Sequence, residues 1–178
     1  MTLVNPFSAA RFAPGTLPWI GDGELDRFLD MVCVRGARYQ IVGPQGSGKT
    51  TLLTHLERGA ERRGFPVMRF RGSRGFVLPP RGALVLADEA EELGAIGRGV
   101  LRACATALVM TAHRDLGMPT LTERRMDVTT LTKLVTLLDP SAAPEEGALA
   151  TLLAQHQGNT REVFFSLYDD VERARAAG

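Results

Sequence analysis

The stretch Gly43-Pro44-Gln45-Gly46-Ser47-Gly48-Lys49-Thr50 fits the phosphate-loop pattern G-x-x-x-x-G-K-[ST]. It follows the apolar run Tyr39-Gln40-Ile41-Val42 and runs straight into the helix-like segment Thr51-Leu52-Leu53-Thr54-His55-Leu56-Glu57-Arg58. Strand, loop and helix in that order are the setting this motif requires. Glycines let the backbone curl so that successive N–H groups face phosphate oxygens, and the following helix adds unpaired donors and the positive end of its dipole. Lys49 is expected to bridge the β- and γ-phosphates and Thr50 to offer its hydroxyl to Mg²⁺. The expected cradle is therefore Gly43, Pro44, Gln45, Gly46, Ser47, Gly48, Lys49, Thr50 and Thr51. A glycine-rich turn with a solvated lysine is the plain alternative. Lysine is scarce in this chain (Lys49 and Lys133 only), which weighs against it. The stretch predicts a site for a nucleoside triphosphate.

Composition bounds the rest. A chain of 178 residues can bury one core. Hydrophobic content of 44% and charged content of 23% are ordinary for a soluble globular protein. A formal net charge of +1 predicts no bulk attraction to nucleic acid or to an anionic membrane. Cys33 and Cys104 lie far apart and form no C-x-x-C pair, so they read as small core residues and not as a zinc or redox site. No stretch reaches the roughly eighteen apolar residues of a membrane helix, and Met1–Pro6 lacks a basic signal region. The expectation is a cytoplasmic protein.

Along the chain, Pro6, Pro14, Gly15, Pro18, Gly21 and Gly23 make an irregular N-terminal arm. Its Phe7, Phe12, Leu17, Trp19 and Ile20 predict packing against the body. Leu25, Phe28, Leu29 and Val32 then recur at helical spacing after a cap at Asp22. Strands are expected at about 38–42 and 66–71, and in the apolar runs 83–87 and 107–111, which read as buried parallel strands. A fifth strand is expected over Met126–Leu131, and helices over 94–105, 145–156 and 160–175. Alternating strands and helices argue for an α/β fold with a mostly parallel sheet. Three parts are expected: an N-terminal arm and helix (1–35), a nucleotide-binding core (36–140) and a C-terminal helical lid (141–178).

Leu84-Val85-Leu86-Ala87-Asp88-Glu89 carries a second, independent signal. Carboxylates at the end of a buried strand are costly unless a cation is near. With a phosphate loop upstream, Asp88 is the expected Mg²⁺ holder and Glu89 the expected general base for an attacking water. Read alone, the pair is also compatible with a solvated loop start. Thr111 closes the next apolar run at a strand's carboxyl end, where α/β sites gather. It is expected either to orient the lytic water or to cap the turn, and His113 is an equally placed substitute.

Together these segments resemble the AAA+ ATPases and their signalling relatives over roughly residues 36–170. The resemblance takes Gly43–Thr50 as Walker A, Leu84–Glu89 as Walker B, Thr111 as the sensor-one position and Gly158-Asn159-Thr160-Arg161-Glu162 as a second sensor. It implies a P-loop three-layer sandwich of about five strands with a small helical lid, ATP and Mg²⁺ as ligands, and hydrolysis with catalytic roles for Lys49, Glu89, Thr111 and Arg161. It also implies an arginine finger offered to a neighbouring subunit, with Arg124, Arg125 and Arg114 as candidates. A homo-oligomer or an unknown protein partner follows, while nucleic acid and membrane find no support in charge or aromatic content.

One departure stands out: Ser73–Gly82 contains Pro79 and Pro80 and is too short for a crossover helix. Either the second strand pairs unusually or that helix is lost. The sequence shows no N-K-x-D guanine signature and no L-S-G-G-Q stretch. The remaining alternatives are an ATP-binding switch with negligible turnover and a small-molecule kinase using Arg69, Arg71, Arg74 and Arg81.

Overall fold

Runs of Leu, Val, Ala and Met without polar interruption form strands only where both faces of a sheet are covered. In the computed structural model, which describes residues 4–21, 23–71, 78–141 and 145–177, Leu84–Asp88 (β3) and Ala107–Ala112 (β4) are buried along their whole length. They lie in a five-stranded, all-parallel sheet with Arg38–Val42 (β1), Val67–Arg71 (β2) and Thr120–Glu123 (β5), in the order β2-β3-β4-β1-β5. The α/β class and the mostly parallel sheet of five strands are as expected.

Strand pleating sorts the side chains. Val85, Ala87, Leu108 and Met110 point to one face, where they pack with Leu101 and Ala105 from Gly94–Cys104 (α3) and its flank. Leu84, Leu86 and Asp88 alternate to the other face, as do Val109 and Thr111. There Lys49–Arg62 (α2) packs on β2 and β3, and Glu24–Val32 (α1) packs on α2 and β4. The period of two therefore commits Asp88 and Thr111 to the side of the sheet where α2 begins.

The chain between Arg71 and Leu84 returns to a parallel neighbour of β2, and no helix occurs in its described part, residues 78–83. Of the two alternatives for this departure, the unusual pairing is excluded, since β2 lies in regular parallel register with β3. The rest of the segment, with Arg74, lies outside the described residues, as does the expected cap Asp22. Gly23 occupies the N-cap of α1 with φ of 66°.

Two compact units result. One comprises Gly21–Gly43 and Lys49–Arg124, which hold the whole sheet; the other comprises the described parts of Met1–Ile20, Pro44–Gly48 and Arg125–Gly178. The second unit is built on Val128–Leu138 (α4), Glu146–Gln155 (α5) and Thr160–Ala177 (α6). Phe7 is buried among Leu131, Val135, Leu149, Leu153 and Val163, and its ring stacks on Phe164 at 6.3 Å. Asn5 ties the arm down: its amide donates to the Tyr168 carbonyl (3.0 Å) and to Glu172 (2.7 Å).

The expected strand at Met126–Leu131 is a misreading. The fifth strand is Thr120–Glu123, and Val128 opens α4. Val128, Thr129 and Thr130 favour strands by propensity, but Asp127 caps a helix, accepting from the Thr130 N–H (2.8 Å) and the Thr130 hydroxyl (2.8 Å). Leu131, Val135 and Leu138 then recur on its buried face.

Burial of the Asp127 carboxyl raises its pKa, but hydrogen bonds from Thr130 and neighbouring backbone outweigh this and leave it below the usual range. A depressed carboxylate stabilises above its unfolded pKa and loses that contribution as pH falls through the folded one. Asp127→Ala should therefore cost about 1 kcal/mol at neutral pH, measured by urea denaturation. The gap to wild type should narrow below the ordinary aspartate range, near pH 4.

Candidate nucleotide site

The sheet unit contributes a cluster built on one buried carboxylate. Asp88 is 2% exposed. One of its oxygens accepts from the Thr111 hydroxyl at 2.7 Å and from Thr50 at 3.3 Å, and the other meets Arg69 at 3.4 Å. Thr50 sits in the first turn of α2 and Thr111 on the neighbouring strand, so the pleat and the helix start bring both hydroxyls to the same carboxylate. An oxygen pair such as Thr50 and Asp88 suits a hard cation whose other ligands come from phosphates and water. Among the described residues no group of three His, Cys, Asp or Glu side chains could hold a metal alone.

Glu89 follows in a left-handed conformation, φ 52° and ψ 52°, with its N–H donated to the Thr111 hydroxyl at 2.9 Å and its side chain exposed. A non-glycine residue held there stores strain, which the Thr111 bond helps to maintain. Thr111 thus joins the Asp88 carboxylate to the Glu89 backbone. Lys49 is 8% exposed; its ammonium donates to the Gly43 carbonyl at 2.6 Å and lies 3.4 Å from His113 Nδ1. Burial pushes the Lys49 pKa below the usual lysine range, while Glu91, Asp88 and Glu89 pull it partly back.

The other unit holds the rest of the loop. Gly46 and Gly48 have φ of 71° and 88°. A Cβ on Gly46 would lie 1.9 Å from Asn159 Oδ1 and 2.9 Å from Asn159 Cα, so only glycine fits against the start of α6. Among the described residues the buried Ser47 hydroxyl has no hydrogen-bond partner, nor has that of Thr160 in the first turn of α6. Asn159 Oδ1 accepts from the Arg161 N–H at 3.2 Å, and the Arg161 side chain is exposed. Within this unit, the turned loop amides and the buried Ser47 hydroxyl, unpartnered among the described residues, suit an anionic ligand.

No family model and no curated protein matches the sequence. Solved structures do. The replication initiator DnaA bound to AMPPCP and single-stranded DNA superposes with a TM-score of 0.59 at 16% identity, over 89% of this chain and 66% of that one. AMPPCP-bound DnaA from Aquifex aeolicus gives 0.56 at 15%, over 94% and 70%. NtrX from Brucella abortus in complex with ATP gives 0.57 at 14%, over 89% and 53%. At these identities the likeness is one of fold, and it is the AAA+ P-loop fold that the sequence leads one to expect. This chain spans about two thirds of the DnaA chains and about half of the NtrX chain.

Two residues of this fold, Arg69 and Gln40, have roles that the sequence alone does not single out. Arg69 was read only as part of a kinase lid. It bridges Asp88 to Glu57 (3.0 Å) and to the Thr54 hydroxyl (2.9 Å). Gln40, 1% exposed, donates to Asp115 (2.6 Å) and the Met118 carbonyl (2.8 Å) and accepts from the Leu116 N–H (2.8 Å), fixing the β4–β5 loop. A polar residue in the middle of an apolar strand was the available signal for both. Of the arginine-finger candidates, Arg124 is 17% exposed beside Glu24 (3.9 Å), while Arg114 and Arg125 are exposed.

Thr111→Val keeps the shape but takes the acceptor from the Glu89 N–H and leaves one buried Asp88 oxygen with only the longer Thr50 bond. It should cost about 2 kcal/mol of stability, read from the denaturation midpoint, and Thr111→Ser should recover most of it. Equal stability of the valine variant would show that the bridge carries no weight.

Proposed function

We propose that this chain binds ATP with Mg²⁺ and hydrolyses it, turnover being coupled to a change in a protein partner or in an oligomer of the chain itself. The observation that carries the reading is the hydrogen-bonded set Thr50–Asp88–Thr111 with Glu89 exposed beside it, following directly on a loop of the form Gly43–Thr50. The nucleotides named for the DnaA and NtrX structures support it.

The roles follow from the chemistry of each group. Gly43, Pro44, Gln45, Gly46, Ser47 and Gly48 offer backbone N–H groups, except at the proline, to phosphate oxygens, and Thr51 lies in the first turn of the helix behind them. Lys49 exchanges its Gly43 carbonyl for the β- and γ-phosphates, which returns a counter-charge to a buried cation. Thr50 and Asp88 would hold Mg²⁺, which would supply charge neutralisation to the phosphates. Glu89 takes the proton of a water whose oxygen attacks the γ-phosphorus as the bond to ADP breaks. Thr111 holds the Glu89 backbone and so fixes where that carboxylate starts. Arg161, on the same compact unit as Pro44–Gly48, offers its guanidinium to phosphate, and α5 and α6 act as the lid. Arg114, Arg124 and Arg125 are the candidates for action on a neighbouring subunit, Arg114 and Arg125 being exposed.

Arg69, committed to Glu57 and Asp88, weakens the kinase alternative. Single-stranded DNA is named for one DnaA structure and belongs among the partners tried in the assay. Lys49→Ala should lower ATP affinity by two or more orders of magnitude, while Glu89→Gln should keep ATP bound and cut turnover at least about a hundredfold, measured by isothermal titration and single-turnover hydrolysis. Wild-type turnover in Glu89→Gln would replace the enzyme reading with a nucleotide-driven switch.

A further inference from the structure

A cavity of about 330 Å³ lies beside α3, walled by Glu91, Arg98, Arg102, Arg114, Asp115 and Leu116. All of these belong to the sheet unit. Three guanidiniums converge there, and none of them forms an ion pair among the described residues. Arg98 spends one nitrogen on the carbonyls of Ala90 (3.3 Å) and Glu91 (3.4 Å). Arg102 spends one on the Leu116 carbonyl at 2.5 Å, and Arg114 makes no hydrogen bond or ion pair among the described residues. Each guanidinium has five N–H donors, so most remain unspent.

The two carboxylates in the wall do not answer this charge. Glu91 accepts the backbone N–H of His113. Asp115 accepts from Gln40 Nε2 at 2.6 Å and from the Gly117 N–H at 2.8 Å, and these bonds hold its carboxyl below the usual range. Arginines commonly pair with acids close at hand; here two acids are near and both are turned onto protein donors. Gln40, buried in β1, fixes the loop from which Arg114 projects, so the side chains face a wall of set shape. A rigid concave surface with unspent, fork-shaped donors is the environment that recognises phosphate oxygens in pairs.

We propose that this cavity is a second oxyanion site, separate from the phosphate loop, which takes a phosphate-class anion. Its volume suits a diphosphate or the end of a phosphorylated chain and not a folded partner. Arg114 and Arg102 provide paired donors, Arg98 provides charge from the α3 side, and Gly99, with open space beyond its Cα, lets the ligand approach α3. The phosphate has two possible sources: a free anion or a phosphate carried on a nucleic-acid strand.

The test uses full-length protein carrying Lys49→Ala, which removes the loop's own anion site. Pyrophosphate is titrated by calorimetry at low salt, where exposed charge pairs are least screened. One site should remain. Adding Arg114→Gln should weaken it about tenfold, and adding Arg102→Gln as well should weaken it further, each step being the loss of a charge-assisted contact. Arg114 makes no hydrogen bond or ion pair among the described residues, so that variant should melt with its parent, and Arg114→Lys should fall between arginine and glutamine. A second arm uses a 5′-phosphorylated single-stranded oligonucleotide. Tighter binding than pyrophosphate, lost in the same variants, assigns the phosphate to a strand, and binding no tighter assigns it to a free anion. Absence of any pyrophosphate site in the Lys49→Ala protein, or equal affinity in the arginine variants, overturns the proposal. Failure of the loop assignment would be visible separately, as unchanged ATP affinity on Lys49→Ala alone.

Discussion

A carboxylate withdrawn from water at the end of a strand must be answered by donors, and in this fold Asp88 is that carboxylate. Leaving it unpaired would cost several kcal/mol, so the elements around it are fixed by what they bring to it. α2 brings Thr50, β4 brings Thr111, and β2 brings Arg69, itself held by Glu57. Three separate segments are therefore registered against one side chain. Under the proposed function the same arrangement has a second use, because the donors that satisfy Asp88 without a metal also set its oxygens in place to receive one.

The strain at Glu89 belongs to the same economy of position. A left-handed residue directly after a buried strand turns the chain sharply, so Asp88 faces inward while Glu89 faces out. Two adjacent carboxylates thereby gain opposite environments, one dry and hydrogen-bonded, the other open to solvent. Environment, more than residue type, separates a metal holder from a base. The Thr111 hydroxyl spans both, accepting from one residue's backbone and donating to the other's side chain.

The loop, the strands around it and the Asp88–Glu89 pair were legible because their signals are local: glycine spacing, an uninterrupted apolar run and a charge at its end. What sequence reading missed depends on partners far away in the chain. Arg69 reads as one arginine among many until β3 lies beside it, and Gln40 looks like an interruption in β1 until the β4–β5 loop folds over it. The strand expected at Met126–Leu131 failed for a different reason. Val, Thr and Leu in series favour a strand by propensity, but one aspartate cap and a buried stripe at helical spacing outweigh it. Gly46 is the mixed case. Its positive φ was readable from the motif, but the contact with Asn159 that forbids any side chain was not.

Asn5 and Phe7 reach residues more than a hundred and fifty positions away, at Tyr168, Glu172 and Phe164. During synthesis the sheet strands and their covering helices are complete once the chain has grown past Arg124. The helical core cannot close until almost the last turn of α6 has left the ribosome. Until Phe164 and Phe165 at the start of α6 have emerged, Phe7 and Phe12 lack the rings they pack on, and the nascent arm carries exposed aromatic surface of the kind that chaperones bind. The arm and α6 are thus a late-closing clasp on the helical core, and the clasp stays open for as long as α6 is unmade.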